Sequence, residues 1–427
     1  MRIKELHQLF LNSSGVSTDT RKVTENTLFF ALKGDNFNGN EYADEALKKG
    51  ASFAIVDEKE HTRSNKALLV EDVLTSLQEL ATFHRNFLKL PIIALTGSNG
   101  KTTTKELINA VLSKKYTTVA TKGNFNNHIG VPLTLLSMNE HTEIGIVEMG
   151  ANHQKEIMAL CQIAQPDYGY ITNFGKAHLE GFGGIEGVIK GKSELYEYLM
   201  DENKNIFLNA DDGIQKEKLS GYIKKFGFSQ KDADYYPIEF LEANPFVKLT
   251  FEGLTLNSNL IGTYNFANIA AAVMIGKYFN VEIHDIKGAI EDYVPSNNRS
   301  QIIEKDNYRI ILDAYNANPT SMKAALINLT NLSDIKKIAV LGDMFELGDD
   351  SAQEHQDMVS VLEGLMLDKI YLVGEHFFNT KTTSSNIERF KTFEDFKENF
   401  DTTEIDDSSV LIKGSRGMAL ERTLELL

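Results

Sequence analysis

Hydrophobic and polar positions along the chain form blocks that predict short buried strands, each followed by an amphipathic helix. The clearest strand is the apolar run at 91–95, which is followed by a small glycine-containing loop and a helical pattern from Lys105. Further strands are predicted at 116–121, 143–149 and 168–172. Alternation of this kind is typical of an open, mostly parallel, doubly wound sheet. The predicted fold class is therefore α/β.

Changes in this pattern divide the 427 residues into three predicted domains, the number that the length also suggests. Residues 1–88 mix short strands and helices in a small α/β domain. Residues 89–296 form the doubly wound central domain, with a β-hairpin region at 234–260. Strand–helix alternation begins again afterwards, so residues 297–427 are predicted to be a smaller, Rossmann-like α/β domain.

Composition narrows the class of protein. A hydrophobic content of 42% and a charged content of 24% are ordinary for a globular protein. The net charge of −16 argues against a nucleic-acid partner. A single cysteine, Cys161, excludes an intrachain disulfide and fits a reducing cytoplasm. Because no apolar segment resembles a signal peptide or a membrane span, the sequence predicts a cytoplasmic protein.

The loop after the strand at 91–95 has the composition of a phosphate-binding loop. Its small residues allow backbone N–H groups to face an anion at the N-terminus of the next helix. Lys101 can reach a terminal phosphate, and Thr102 can offer its hydroxyl to Mg²⁺. The common motif has a glycine where this chain has Leu95, so the loop is tighter, and a glycine turn beside a surface lysine is the structural alternative. The residues predicted to bind ATP here are Gly97, Ser98, Asn99, Gly100, Lys101, Thr102 and Thr103.

Other polar residues stand at predicted strand ends, where open α/β sheets place ligands. Glu148 follows an apolar run and would be costly to bury unpaired, so a magnesium ligand, a water-polarising carboxylate or a buried salt bridge could explain it. His178 and the helical Lys192, taken singly, are more typical of structural and solvated residues. Asn265 and Asn268 could cap a helix or clasp a base or a metal-bound water. The segments at 313–319, 342–346 and 413–417 are predicted to share one rim.

Five segments together resemble one family of enzymes. They are residues 96–103 (TGSNGKTT), 123–134 (GNFNNHIGVPLT), 148–152 (EMGAN), 313–319 (DAYNANP) and 341–348 (LGDMFELG). They resemble the Mur ligases, the ATP-dependent amide-bond ligases of peptidoglycan precursor synthesis, and in particular the branch that adds D-alanyl-D-alanine. The first segment is shared with folylpolyglutamate synthases, so the other four select the branch. The resemblance extends from residue 17 to residue 416.

The resemblance implies a role for each domain. The first should hold the UDP part of the muropeptide, the central domain ATP, and the last should act as a mobile lid. Thr102 and Glu148 should hold a first Mg²⁺, and His178 should join a second with Lys192, which matches a lysine carbamylated in several family members. Lys101, Glu148, His178 and Lys192 are the implied catalytic residues. Further nucleotide contacts are implied for Asn265, Asn268, Arg299 and Asp313, and substrate contacts for Ser17, Thr18, Asp19, Arg21, Asn38, Asn126, Asn127, Tyr315, Asn316 and Asn318.

The implied reaction joins D-alanyl-D-alanine to UDP-N-acetylmuramoyl-tripeptide through an acyl phosphate, in a monomer that uses ATP and Mg²⁺. Another Mur ligase, a folylpolyglutamate synthase and a P-loop ATPase that acts as a conformational switch are the alternatives. The chain departs from the family at Tyr264, where histidine is usual, so a histidine contact to adenine is not carried over. His128 is given no role.

Overall fold

The computed structural model describes residues 2–296, 298–305, 307–333 and 336–427. Residue 297, the first of the predicted third domain, lies outside these ranges. The N-terminal part of the chain contains a four-stranded parallel sheet in the order β1-β2-β5-β6, and a short hairpin. Its elements are α1 (Ile3–Leu11), β1 (Val16–Ser17), β2 (Leu28–Phe30), β3 (Lys33–Gly34), β4 (Phe37–Asn38), α2 (Ala43–Lys48), β5 (Phe53–Val56), β6 (Ala67–Leu69) and α3 (Val73–Leu88).

Helix α3 connects this part of the chain to the next sheet. Asp72 caps it, because its carboxylate accepts a hydrogen bond from the Thr75 N–H at 2.6 Å. Lys89 ends it in the left-handed conformation. Arg85 in its last turn donates to Asp167 at 2.6 Å and so attaches the helix to the central sheet.

The central part of the chain contains seven parallel strands in the order β13-β12-β11-β10-β7-β9-β8. An antiparallel sheet, β14-β15-β16, lies beside it. The elements are β7 (Ile92–Thr96), α4 (Lys101–Leu112), β8 (Thr118–Ala120), α5 (Gly130–Leu135), β9 (Ile144–Glu148), α6 (Glu156–Ala164), β10 (Tyr168–Ile171), α7 (Leu179–Phe182), α8 (Ile185–Asp201), β11 (Asn205–Asn209), α9 (Gly213–Lys218), β12 (Lys225–Ser229), β13 (Tyr236–Pro237), β14 (Glu239–Ala243), β15 (Phe246–Phe251), β16 (Leu254–Ile261), α10 (Asn265–Tyr278) and α11 (Ile283–Glu291).

One part of the predicted hairpin region belongs to a different sheet. Residues 239–261 form the antiparallel strands as expected, but Tyr236 and Pro237 pair in parallel with β12 at the edge of the central sheet. Pro237 has no N–H to donate to a further strand, which suits a short edge strand.

The C-terminal part of the chain contains a six-stranded sheet in the order β17-β18-β22-β19-β20-β21. Only the β17–β18 pair in it is antiparallel. No described helix is long and apolar enough to cross a membrane. The C-terminal elements are β17 (Gln301–Glu304), β18 (Arg309–Asp313), α12 (Pro319–Asn331), β19 (Lys336–Gly342), α13 (Ser351–Glu363), β20 (Lys369–Val373), α14 (Glu375–Phe378), β21 (Ile387–Phe390), α15 (Phe393–Asn399) and β22 (Ser408–Lys413).

Candidate active site

A cavity of about 700 Å³ lies where the carboxyl ends of the central strands face the C-terminal sheet. Parallel strands place their following loops at one edge, so segments distant in sequence meet there. Residues 98–103 of the phosphate-binding loop form one wall, and residues 124–128 and 148–152 contribute to the next. The facing wall comes from 299–300, 313–321 and 413–416. The strand-end segments that were predicted to share one rim and the loop that was predicted to bind ATP therefore line the same cavity.

The phosphate-binding loop is fixed by close packing at its two glycines. Gly97 has φ +139°, and a Cβ there would lie 2.0 Å from the Thr172 hydroxyl oxygen. Gly100 has φ +79°, and its Cβ would lie 2.5 Å from the Asn268 side-chain oxygen. Any other residue would be both strained and in collision at these positions. The tight spacing left by Leu95 therefore still gives a closely packed loop at the start of α4.

Lys101 is the cation of this loop. Its Nζ donates to the carbonyl oxygens of Gly97 at 2.7 Å and Ser98 at 3.2 Å. Burial lowers the pKa of the Lys101 ammonium, the Arg299 charge lowers it further, and the Glu148 charge opposes both. A cation held over a loop of small residues is suited to a terminal phosphate.

Glu148 lies beside the loop because β9 pairs with β7, and Leu95 is its partner in the register. The side chain is 1% exposed. Its Oε1 accepts hydrogen bonds from the Thr102 hydroxyl at 3.3 Å and from the Asn126 amide at 2.8 Å. Its Oε2 is buried without a hydrogen-bond partner. No ion pair to Glu148 occurs within the described ranges, so the structure does not support the buried salt bridge considered from the sequence.

The environment of Glu148 fits a divalent cation. A buried carboxylate oxygen without a partner is costly unless a cation neutralises it. The Thr102 hydroxyl lies next to that carboxylate. Carboxylate and hydroxyl oxygens are hard ligands, which Mg²⁺ prefers. The two residues predicted to hold the first magnesium are therefore brought together.

Lys192 is not a surface lysine. Its side chain is 0% exposed, its Nζ donates to the Ala151 carbonyl at 3.0 Å, and it lies 4.8 Å from the centre of the Phe182 ring. Burial holds the pKa of the Lys192 amine well below its ordinary value, and the Lys101 charge acts in the same direction. The solvated-lysine interpretation is thus excluded, while a metal-binding role for Lys192 stays a prediction.

His178 lines the cavity and pairs with a carboxylate from the opposite wall. Its Nδ1 is in close contact with Glu346, and this bond lowers the pKa of the Glu346 carboxyl. Within the described ranges, the one group of three acidic or histidine side chains close enough to share a metal ion is Glu58, Glu60 and His61. That group does not line the cavity. A metal contact by His178 therefore also stays a prediction.

Asn265 and Asn268 connect two helices beside the loop. The Asn268 side-chain oxygen accepts from the Thr104 hydroxyl at 3.0 Å, and its amide donates to Asn265 at 2.8 Å. Asn265 donates to the Ile261 carbonyl at 2.8 Å. Neither caps α10, whose N-cap position is Tyr264. Asn268 joins α10 to α4, and both asparagines line the cavity.

The C-terminal wall carries several cations. Arg299 lies over the Tyr315 ring at 3.7 Å from its centre, and its Nε is buried without a partner. Asp313 accepts from Lys413 at 2.5 Å, and Lys413 also donates to the Asn316 carbonyl at 3.1 Å. Lys413, Arg416 and Glu346 line the cavity but were not assigned as site residues from the sequence. Their signal was present, because they belong to the strand-end segments at 342–346 and 413–417.

Hydrogen bonds and an ion pair join the two walls of the cavity. The Asn318 amide donates to the Asn99 side-chain oxygen at 2.7 Å, which attaches the phosphate-binding loop to the start of α12. The Lys176 N–H donates to the Thr320 hydroxyl at 3.0 Å, and the Lys176 ammonium pairs with Glu354 at 2.5 Å. The C-terminal part of the chain is therefore docked on the central sheet.

The predicted substrate residues fall into two groups. Asn126, Asn127, Tyr315, Asn316 and Asn318 line the cavity. The N-terminal residues do not: Arg21 pairs with Asp19 at 2.7 Å, and Asn38 donates to Glu58 at 2.9 Å. The structure leaves the roles of Ser17, Thr18, Asp19, Arg21 and Asn38 as predictions. His128, to which no role was given, lines the cavity.

This combination of a P-loop sheet and a docked second α/β sheet agrees with what sequence comparison finds. The Mur ligase family catalytic domain matches residues 12–89, the Mur ligase middle domain residues 95–276, and the Mur ligase glutamate ligase domain residues 298–416. The chain belongs to the Mur ligase family.

Individual relatives belong to one branch of that family. The UDP-N-acetylmuramoyl-tripeptide--D-alanyl-D-alanine ligase of Bacillus subtilis is 34% identical, over 96% of this chain and 92% of its own length. The Escherichia coli ligase of the same name is 32% identical, over 99% and 95%. MurF from Acinetobacter baumannii superimposes with a TM-score of 0.88 at 31% identity, over 98% of this chain and 97% of its own. A Thermotoga maritima MurF ligase in complex with ADP has a TM-score of 0.84 at 28% identity, with the same coverage.

Proposed function

We propose that the chain is an ATP-dependent ligase that joins D-alanyl-D-alanine to UDP-N-acetylmuramoyl-tripeptide, giving the pentapeptide precursor of peptidoglycan, ADP and phosphate. Relatives that carry the name of this ligase cover nearly the whole chain. The observation that carries the proposal is the cavity itself: the phosphate-binding loop and Glu148 face the cationic C-terminal wall across it. ATP and a carboxylate substrate could meet there, and an amine could enter from the opposite wall.

Each part of the chain has a proposed share of the reaction. Residues 1–88 would bind the UDP part of the muropeptide through the loops that contain Ser17–Arg21 and Asn38, residues 89–296 would bind ATP, and residues 297–427 would form the lid. The contacts of Asn318 and Thr320 with the central part of the chain support a lid that docks over the nucleotide site. Closing such a lid excludes water from a reactive intermediate.

Two magnesium sites complete the proposal. The Thr102 hydroxyl and the unpartnered Oε2 of Glu148 would hold one Mg²⁺, as their geometry suits an oxygen-binding cation. His178 and a carbamylated Lys192 would contribute to the second. Magnesium, when bound, would neutralise charge on the phosphates and so assist phosphoryl transfer.

The chain's own residues then provide charge and position. Lys101 faces the transferring phosphoryl group, and Arg299 adds a second positive charge from the lid. The tripeptide carboxylate attacks the γ-phosphorus, ADP leaves, and an acyl phosphate forms. The amine of the dipeptide attacks the acyl carbon, phosphate leaves with the bridging oxygen, and the amine proton is lost. Tyr315, Asn316 and Asn318 stand on the wall where the dipeptide would bind.

We also place the enzyme in the bacterial cytoplasm as a monomer. The nucleotide-linked precursor and ATP are both available there, and the single cysteine fits that compartment. Gel filtration with light scattering tests the monomer directly.

The function is tested by identifying the product. Purified protein is incubated with UDP-N-acetylmuramoyl-tripeptide, D-alanyl-D-alanine and Mg·ATP, and the products are separated and weighed by mass spectrometry. The expected product has the mass of the two substrates minus one water. Single amino acids in place of the dipeptide should give no product, whereas another Mur ligase or a folylpolyglutamate synthase would use them with its own acid substrate. ADP formation without any acid substrate would instead indicate a conformational ATPase.

A further inference from the structure

The connection between α11 and β17 carries Arg299, and one side chain from the central part of the chain holds it. The Tyr264 hydroxyl lies 2.8 Å from the Ser300 hydroxyl. Tyr264 is the residue before Asn265, whose side chain connects through Asn268 to Thr104 of the phosphate-loop helix. Three hydrogen bonds and the peptide bond between Tyr264 and Asn265 therefore link the start of α4 to this connection.

The backbone around Arg299 is strained. Asn298 and Ser300 have φ values of 55° and 48°, in the left-handed region. Asparagine tolerates this conformation, whereas a serine rarely adopts it, so the strain lies mainly at Ser300. Such a conformation persists when surrounding contacts hold it. Ser300 is held twice, because its hydroxyl meets Tyr264 and its N–H donates to Asp313 at 3.0 Å. Asn298 is held by its carbonyl, which accepts from the Tyr315 N–H at 3.2 Å.

Arg299 is directed into the cavity by these two neighbours. Its guanidinium stacks on Tyr315, and its Nε is buried with no hydrogen-bond partner, so one donor is available to a ligand. Arg299 lines the same cavity as Lys101 and the other residues of the phosphate-binding loop. Without the Ser300 anchor, the strained connection would relax and Arg299 would lose this direction.

We infer that Tyr264 is a positioning residue: its hydroxyl, bonded to Ser300, fixes the interdomain connection so that Arg299 faces the nucleotide in the docked arrangement. This inference rests on the proposed function. It assigns to the Tyr264 hydroxyl a role in domain closure instead of direct contact with the base. The Tyr264–Ser300 bond and the Asn99–Asn318 bond both join the central part of the chain to the C-terminal part.

The kinetic test uses substitutions that remove one hydroxyl each. Tyr264→Phe and Ser300→Ala should each lower kcat/KM for ATP about tenfold, because fewer molecules have Arg299 in place. The double variant should fall no further than either single one, since both remove the same bond. Tyr236→Phe is the matched control: it removes a tyrosine hydroxyl bonded to Glu252 at 3.1 Å, outside the cavity, and should leave kcat/KM unchanged.

A second experiment measures how often the C-terminal part of the chain is docked on the central part. Cys161 is buried, so cysteines introduced at exposed positions can be labelled selectively. Ile223 and Met366 are 92% and 90% exposed, in the central and C-terminal parts of the chain. We would combine Ile223→Cys with Met366→Cys and label the two cysteines with a donor and an acceptor dye. Energy transfer between the dyes should report the docked population. Tyr264→Phe in this background should reduce that population at a given Mg·ATP concentration, and Tyr236→Phe should not.

The outcomes separate this inference from the proposed function. Product formation by the unaltered protein tests the function by itself. If that product forms while Tyr264→Phe retains kcat/KM for ATP within twofold and an unchanged docked population, the positioning role is refuted. Additive losses in the double variant would also refute it, because the two hydroxyls would then act separately.

Discussion

Lys192 offers the most informative substitution, because a packing role and a role as a carbamate ligand predict different results. The change is Lys192→Met, which keeps an unbranched buried side chain and removes the amine. If Lys192 only packs in the interior, the variant loses one hydrogen bond, the 3.0 Å contact with the Ala151 carbonyl. If Lys192 becomes a carbamate, the variant loses an anionic ligand of the metal site.

The structure sets the size of each effect. Loss of one buried hydrogen bond with an unsatisfied carbonyl destabilises the fold by about 1–3 kcal/mol and should change the rate little. Loss of a metal ligand should lower kcat by about 100-fold or more, equivalent to roughly 2.7 kcal/mol in the activation barrier. A lowered pKa favours the carbamate because only the neutral amine reacts with CO₂, and burial lowers the pKa of Lys192.

The assay measures phosphate release and pentapeptide formation at saturating substrates, with urea unfolding in parallel. We expect Lys192→Met to fold and to lose at least 100-fold in kcat. Lys192→Glu, which restores a carboxylate at shorter reach, should recover part of the rate. Removal of bicarbonate and CO₂ should lower the kcat of the unaltered protein and leave the kcat of Lys192→Met unchanged.

Normal turnover and normal Mg²⁺ dependence in Lys192→Met would refute the carbamate. So would a loss of rate that follows a loss of folded protein in the urea experiment. In either case Lys192 would be a buried lysine that stabilises the loop at Ala151.

Two further predictions concern a cation and a histidine pair. Lys101→Ala should lower kcat/KM by about a thousandfold, roughly 4 kcal/mol, with an unchanged circular dichroism spectrum, and near-normal turnover would remove the ATP site from this loop. His7 lies 3.0 Å from His84, and burial lowers the pKa of His7 from 6.5 to about 4. On acidification His7 takes up a proton in the unfolded chain before it does so in the folded chain. The free energy of unfolding is therefore highest above pH 6.5 and falls by about 3 kcal/mol between there and pH 4. Urea unfolding of His7→Gln should show a smaller slope with pH, and an equal slope would contradict this.

Where the pattern of the sequence was strong, it predicted the fold well. The strands predicted at 143–149 and 168–172 are observed at Ile144–Glu148 and Tyr168–Ile171, because each is a short, largely apolar run. β11 and β12 were not individually predicted, although both lie in the central sheet. Their short runs, Asn205–Asn209 and Lys225–Ser229, carry polar and glycine residues that weaken the strand signal.

The part of the site that lies at the ends of strands could be predicted from the sequence. Glu148 and the phosphate-binding loop are neighbours because two strands pair, and that pairing is what a doubly wound sheet predicts. The contact of Asn99 with Asn318 could not be predicted, since it joins residues 219 positions apart through the docking of two sheets. The burial of Lys192 was also hidden, because a lysine on a helix gives no local sign of the residues packed around it.

The central claim is that a carboxylate is activated by phosphoryl transfer and then captured by an amine. It is tested most directly with UDP-N-acetylmuramoyl-tripeptide in which both oxygens of the carboxylate to be ligated are ¹⁸O, together with D-alanyl-D-alanine and Mg·ATP. The account predicts one ¹⁸O in each phosphate released and one amide product for each ADP. Phosphate that contains no ¹⁸O, or ADP formed without the pentapeptide, would contradict it.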